Sequence, residues 1–234
     1  MIKLSAKILL VLLLLLNILS VSAQDNKFFA GARFGYSLPM GQFASHEYKY
    51  GSYALLGQTF KAEAGWYFYK NIGISLSFTR GYFPMAAGYY LEDLQADTTD
   101  PSVTTIYLKS DPYEVSHYMG SLLYRLPLTQ RMSIVLKGSG GICWAKTPYQ
   151  FYTGQYLIGT LFHIVTPAQS RKLSFGMGAT YQFKLFDHVD LLLETEYTYA
   201  VSKFTFWTNG GTTTDIRAIK MPIFRLQPGV NITF

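Results

Sequence analysis

The sequence predicts an all-β protein: an eight-stranded antiparallel up-and-down barrel, closed on itself, apolar outside and polar inside, set in a lipid bilayer. Three observations carry this. Segments of about ten or more residues alternate apolar and polar side chains with period two, the signature of a strand, and that length is what a tilted membrane strand needs. Short and long connections alternate between those segments, as in membrane barrels with tight turns at one end and longer loops at the other. Aromatic residues make up 17% of the chain and charged residues only 15%, too few charges for an ordinary soluble surface.

The beginning of the chain sets the compartment. Lys3 and Lys7 form a short basic head, residues 8–16 are an unbroken apolar run, and Val21-Ser22-Ala23 is a small-residue cleavage site. This is the layout of a secretory signal peptide over residues 1–23. The apolar run falls short of the ~20 residues of a membrane-spanning helix. Residues 24–234 are then read as one barrel domain. Cys143 is the lone cysteine, which excludes an internal disulfide framework. Of the 20 basic residues, 18 remain without Lys3 and Lys7, against 14 acidic ones. That mild, dispersed excess argues against nucleic acid and for lipid phosphates or surface polysaccharide as what the cations meet.

The first strand, residues 28–38, is apolar at its even positions, with Arg33 and Ser37 on the odd face, until Pro39 and Gly41 break it. The second, 57–69, sets Phe60, Ala62, Ala64, Trp66 and Phe68 against Thr59, Lys61, Glu63 and Tyr67. Lys70-Asn71 turns into the third, 73–83, whose apolar face of Ile74, Leu76, Phe78 and Tyr82 also carries Arg80. Either Arg80 snorkels to head groups from the strand end, or Gly81 marks a bulge that changes the parity. The long connection that follows has a loop tip at 97–101 and a strand-like piece at 103–108, read as the same hairpin continuing beyond the membrane.

The fourth strand, 114–126, alternates most weakly, with Tyr118, Gly120, Leu122 and Tyr124 outward. Residues 127–131 turn into the fifth, 133–144, where Ile134, Leu136, Ile142 and Trp144 oppose Lys137, Ser139, Gly141 and Cys143. A second long connection, 145–171, leads to the sixth strand, 172–185, which has the cleanest alternation of all. Phe186-Asp187-His188 turns into the seventh, 190–203, with Glu194 and Glu196 opposite Leu191, Leu193, Tyr197 and Tyr199. Asn209-Gly210-Gly211 form the last loop. The eighth strand, 221–234, is apolar at every second residue from Pro222 to Phe234.

Parity alone does not say which face is outside. Glycines sit beside long charged side chains on the polar face, which suits a narrow, crowded lumen. The apolar face is nearly free of charge along the middle of each strand, and aromatic residues gather at strand ends, as in interfacial girdles. Lipid then demands closure, because an open edge would leave backbone groups unpaired.

Gly31-Ala32-Arg33-Phe34-Gly35-Tyr36 leading to Pro39-Met40-Gly41, the leader, the eight strands and the terminal aromatic strand together resemble the eight-stranded outer-membrane barrels of the OmpX-like, OmpA-like and PorT-like kind. The resemblance covers the whole mature chain, and its motifs encode architecture and not an activity. It implies an outer-membrane location with both termini periplasmic. It also implies contact with outer-membrane lipid and lipopolysaccharide, and a terminal strand whose Phe234 is read by the outer-membrane assembly machinery.

Glu194 and Glu196 are two residues apart, so both point into the lumen, where a paired-carboxylate active site is conceivable. Arg33, Lys61, Lys137 and Arg225 point inward too, as does Glu63, and the favoured reading is a lumen ion-pair network of these seven residues. Ser116 and His117 are adjacent on a strand and so face opposite ways, which prevents a serine–histidine pair of the PagL-like lipid hydrolases. Gly138-Ser139-Gly140-Gly141 lacks the following helix of a phosphate cradle and reads as lumen packing. No histidine or cysteine cluster has metal-ligand spacing, and no cofactor is expected. Function is therefore expected in the long loops. These are rich in tyrosine, and Tyr149, Phe151, Tyr152 and Tyr156 are the candidate contacts; residues 156–165 form an apolar run able to fold over the mouth. The leading expectation is a non-enzymatic barrel displaying loops for surface interaction or envelope integrity. The alternative is an accessory subunit of a secretion or assembly complex, followed by a lipid-modifying enzyme and a small passive channel.

Overall fold

The computed structural model of the protein describes residues 28–48, 50–97, 103–156, 159–208 and 213–234. In chain order the strands are β1 (Phe28–Pro39), β2 (Gly57–Tyr69), β3 (Ile72–Phe83), β4 (Val103–Ser110), β5 (Tyr113–Pro127), β6 (Met132–Lys146), β7 (Gln150–Tyr156), β8 (Gly159–Val165), β9 (Gln169–Phe186), β10 (Val189–Thr208) and β11 (Thr213–Thr233). Two helices lie in the loops, α1 (Gly41–Ala44) and α2 (Ala87–Asp97). The leader over 1–23, the loop tip at 98–101 and Asn209-Gly210-Gly211 lie outside the described residues.

Eight strands form a closed ring in the order β1-β11-β10-β9-β6-β5-β3-β2, each antiparallel to its neighbours. Closure is made by β1, which pairs with β2 on one edge and with β11 on the other, from Phe29 opposite Thr233 to Pro39 opposite Ile223. Over residues 223–233 the last strand therefore has a neighbour on both sides, and the backbone groups of the wall find partners within it.

The parity of every strand follows the sequence expectation. Leu76, Leu173 and Met177 are 75%, 70% and 67% exposed on the outer wall, while Glu194 is 0% and Arg225 1% exposed inside. A soluble barrel would reverse this distribution. Reading across the register, Val230, Ala32, Ala62, Phe78, Tyr118, Ile142 and Leu173 follow one slanted row of the outer wall. The next row toward the long loops is Phe34, Phe60, Arg80, Ser116, Trp144 and Arg171. The first row is wholly apolar apart from the tyrosine hydroxyl, and the second brings in Arg80 and Arg171. Arg80 lies on the outer face at that boundary, paired with Glu114 at 2.7 Å and over the Tyr82 ring. Gly81 is not a bulge: it stands opposite Thr59 and Val115 in unbroken register.

One expectation for the long connections is corrected, and a second segment is given a definite element. The piece at 103–108 does not prolong the β3–β5 hairpin. It is β4, the edge of a separate three-stranded sheet β4-β7-β8 above the ring, because its partner strand β7 comes from the other long connection. The apolar run 156–165, expected to be able to fold over the mouth, is for the most part β8, hydrogen-bonded to β7. The last three ring strands also outrun their predicted ends. β10 has 20 residues and β11 has 21, whereas ~9–11 tilted residues cross the hydrocarbon layer. Their upper halves, rich in Thr, Lys and aromatic residues, stand outside it as an extended hairpin.

Candidate functional site

The interior is stacked in three layers. At the short-turn end, Phe29, Tyr67, Leu123 and Val135 form a small apolar cluster, with the Arg125 guanidinium 3.9 Å from the centre of the Tyr67 ring. The middle layer is ionic. Alternation within β1, β2, β6, β10 and β11 projects Arg33, Lys61, Glu63, Lys137, Glu194, Glu196 and Arg225 into one space. Glu194 is its hub, with Arg33 Nε at 2.6 Å and the Lys61 and Lys137 ammonium groups both at 2.8 Å. Glu63 receives Arg33 at 2.7 Å and Lys137 at 2.9 Å, and accepts the Ser75 hydroxyl. Glu196 is held by Lys61 at 3.0 Å and more loosely by Arg225 at 3.6 Å. The structure brings all seven predicted lumen residues into one connected network.

Three further residues join the network beyond the predicted seven, Ser75 on Glu63 and Thr198 and His117 on Arg225. Arg225 donates to Thr198 Oγ1 and to His117 Nδ1, each at 2.9 Å. A guanidinium cannot accept, so Nδ1 carries the lone pair and the His117 proton sits on Nε2. From the sequence, His117 is weighed only as a partner for Ser116. Its inward parity, shared with Val115 and Met119, is the signal that points to the network.

Glycine makes this layer possible where two strands approach closely. A Cβ on Gly229 would lie 2.4 Å from the Ala32 carbonyl oxygen and 2.5 Å from Arg33 Cγ. Gly229→Ala is therefore expected to displace Arg33 and to cost about 1–3 kcal/mol. Gly138→Ala, where a Cβ meets nothing within 4 Å, should leave the urea midpoint in place. Equal midpoints for the two variants would refute the close-approach argument. Gly138 and Gly140 turn out to face outward, so only Ser139 and Gly141 of that run pack the lumen.

The third layer is an apolar cap at the long-loop end, absent from the sequence reading. Phe83, Val115, Cys143, Ala145, Ala200, Phe204, Met221 and Ile223 point inward from the strand tops, and Phe43, fully buried, is set among them from α1. Phe43 meets Phe83 and Tyr113 edge-on, each with ring centroids 5.3 Å apart. Cys143 belongs to this cap and not to the ionic layer.

Above the cap the loops lock to one another. Tyr53 has φ of 55°, a left-handed conformation that non-glycine residues rarely adopt. It is held there by its buried ring and by backbone bonds to Ser45 and Ala86. Its hydroxyl donates to Asp93 on α2, and burial with this carboxylate pushes that hydroxyl well above the usual tyrosine range. The His46 ring is sandwiched between Tyr53 at 5.4 Å and Tyr89 at 4.9 Å. Of the predicted loop contacts, Tyr149 is exposed. Phe151 is half-buried and lies opposite Lys109 and Ile164 on the outer face of the small sheet. Tyr152 is half-buried against Tyr90 and donates to Gln150 at 2.7 Å. The side chain of Tyr156 lies outside the described residues. Tyr50, Tyr89 and Tyr107 are the more open rings.

Each carboxylate of the lumen is held by two or three cations. No family model matches the chain, and no curated protein matches it. Solved structures do resemble it. Neisserial surface protein A matches with a TM-score of 0.50 at 12% identity, covering 88% of this chain and 97% of that one. A major outer membrane protein from Thermus thermophilus matches with a TM-score of 0.50 at 13% identity, covering 89% and 98%. At such identities the likeness is one of fold: an eight-stranded barrel of the outer-membrane type.

Proposed function

We propose that this chain is a non-enzymatic outer-membrane barrel that presents its long loops for surface interaction or envelope integrity, with the short turns and both termini periplasmic. The observation that carries the proposal is the filled lumen. An apolar foot, an ionic network and an apolar cap succeed one another along the barrel axis, so that among the described residues the interior is filled by side chains at each of these levels. The loops, by contrast, are built: α2, the β4-β7-β8 sheet and the β10–β11 hairpin form a platform with open aromatic rings. Tyrosine gives such a platform large contact area at low entropic cost.

The surroundings fit the same reading. Arg80, Lys146 and Arg171 stand on the outer wall where it turns polar, Arg171 over the Trp144 ring at 4.3 Å, as befits contact with lipid and lipopolysaccharide phosphates. Phe234, exposed at the foot of the wall, suits the role of an assembly signal. Serine at Tyr50, Tyr89, Tyr107 and Tyr149 together is expected to leave insertion intact and to abolish rescue of whatever surface defect deletion of the protein causes. Planar bilayers containing the wild-type protein should show no steady large conductance. Full rescue by the four-serine variant would move the function away from the loops, and an open channel would sink the plugged lumen.

A further inference from the structure

The lumen charges are spent on one another, and at the long-loop rim Arg80 and Lys146 share Glu114. The short-turn end differs. A cavity of about 260 Å³ opens there, with Arg125 from β5, Arg131 from the turn before β6 and Lys184 from β9 in its lining, against Asp190 as the one carboxylate. Among the described residues, neither Arg125, Arg131 nor Asp190 has an ion-pair partner within 4 Å, and Lys184 reaches only the exposed Asp187, at 3.0 Å. The Arg125 plane is fixed on the Tyr67 ring, and its buried Nε has no hydrogen-bond partner. The turn is preformed: Thr129 Oγ1 accepts the Arg131 and Met132 amide protons at 3.3 and 3.0 Å. Those bonds occupy the oxygen's lone pairs and leave its own proton to be donated.

We infer that this cavity is a phosphate-binding site at the short-turn mouth of the barrel. Three cations on three separate elements line it, with a hydroxyl donor beside them. That arrangement suits a tetrahedral dianion better than a planar carboxylate, which one arginine fork can satisfy. The ionic layer above adds its own surplus, four cations over three carboxylates, and low-dielectric walls focus that field toward the mouth. Arg125, Gln182, Asp190 and Thr233 reach the cavity from the inward faces of their strands, so the site opens to the aqueous side and not to the lipid-facing wall.

The test is a titration of the whole barrel, in an uncharged glucoside detergent, with inorganic phosphate at pH 7.5. It is read by backbone amide NMR shifts at residues 129–133, 182 and 190 and matched to chloride at equal ionic strength. A second arm uses nanodiscs containing phosphatidic acid in phosphatidylcholine, to separate a dissolved anion from a lipid head group as the source. Saturable shifts with inorganic phosphate, absent with chloride, are expected. Arg125→Gln combined with Arg131→Gln should weaken apparent affinity at least tenfold, Asp190→Asn should tighten it severalfold, and Arg80→Gln at the far rim should leave it unchanged. Should the double variant fail to fold, Lys184→Gln is read in its place, with a threefold or greater loss expected. Shifts that chloride reproduces, that never saturate, or that survive these substitutions overturn the site; shifts only with phosphatidic acid overturn its aqueous source.

Discussion

Replacing Glu194 with alanine is expected to destabilise the folded barrel by about 3–5 kcal/mol, the cost of leaving buried charges without their partner. Glu194 touches three of the four lumen cations, at 2.6 to 2.8 Å. Its loss leaves four cations facing Glu63 and Glu196 alone, in a space whose side chains are almost fully buried. Glu196 has one close partner and one at 3.6 Å, so Glu196→Ala should cost clearly less. The excess of positive charge, and not merely the missing bonds, drives the effect. Glu194→Gln keeps the shape and should still lose most of the stability, while adding Lys137→Met to it restores the charge count and should recover about half. In that double variant Glu63 keeps Arg33 at 2.7 Å. The measurement is the urea midpoint of the barrel in an uncharged detergent, with the slope unchanged so that midpoints compare directly. If Glu194→Ala and Glu196→Ala shift the midpoint equally, or if Lys137→Met worsens Glu194→Gln, the hub assignment fails.

How much of this was legible in the sequence depends on what each residue's position is made of. Period-two alternation is a local property, and it placed the inward and outward faces of all eight ring strands, including β5 with its weak pattern. The lumen charges were legible for the same reason: parity alone sends Arg33, Glu63 and Glu194 into one narrow space. Pairing between distant segments has no such signature. β4 looks like a strand, but nothing within residues 103–108 says that its partner is β7 and not its own hairpin. Phe43 sits in a stretch without periodicity, and a one-turn helix that inserts a single ring leaves no repeating trace. His117 was within reach of the parity argument, and only the habit of reading histidine as a nucleophile's base kept it out of the network. Tyr53 and Tyr149 look alike in two tyrosine-rich loops; the first is buried and the second exposed because of long-range packing that composition does not encode.

Replacing Phe43 with alanine is expected to cost about 3–5 kcal/mol at its own site, since a fully buried phenyl ring is removed and its neighbours close only in part. Two edge-on aromatic contacts, to Phe83 and Tyr113, go with it. Where that loss falls can be read from the connections of α1. The ladder of the ring is continuous without it, but Ser45, Ser52 and Ala54 donate their amide protons to Gly41, Gln42 and Phe43. Those bonds should open together once the ring no longer anchors the helix. Hydrogen exchange at the three amides should therefore speed up by about two orders of magnitude or more, at roughly 1.4 kcal/mol per tenfold. The amides of Lys61 and Glu196 in the wall should change far less. Phe43→Leu, which refills most of the volume, should recover most of the protection. Conductance should not rise in either variant, because the ionic layer lies beneath the cap and closes the barrel in series with it. If the wall amides accelerate as much as those of the loop, cap and barrel are one cooperative unit and the layered account of the interior is wrong.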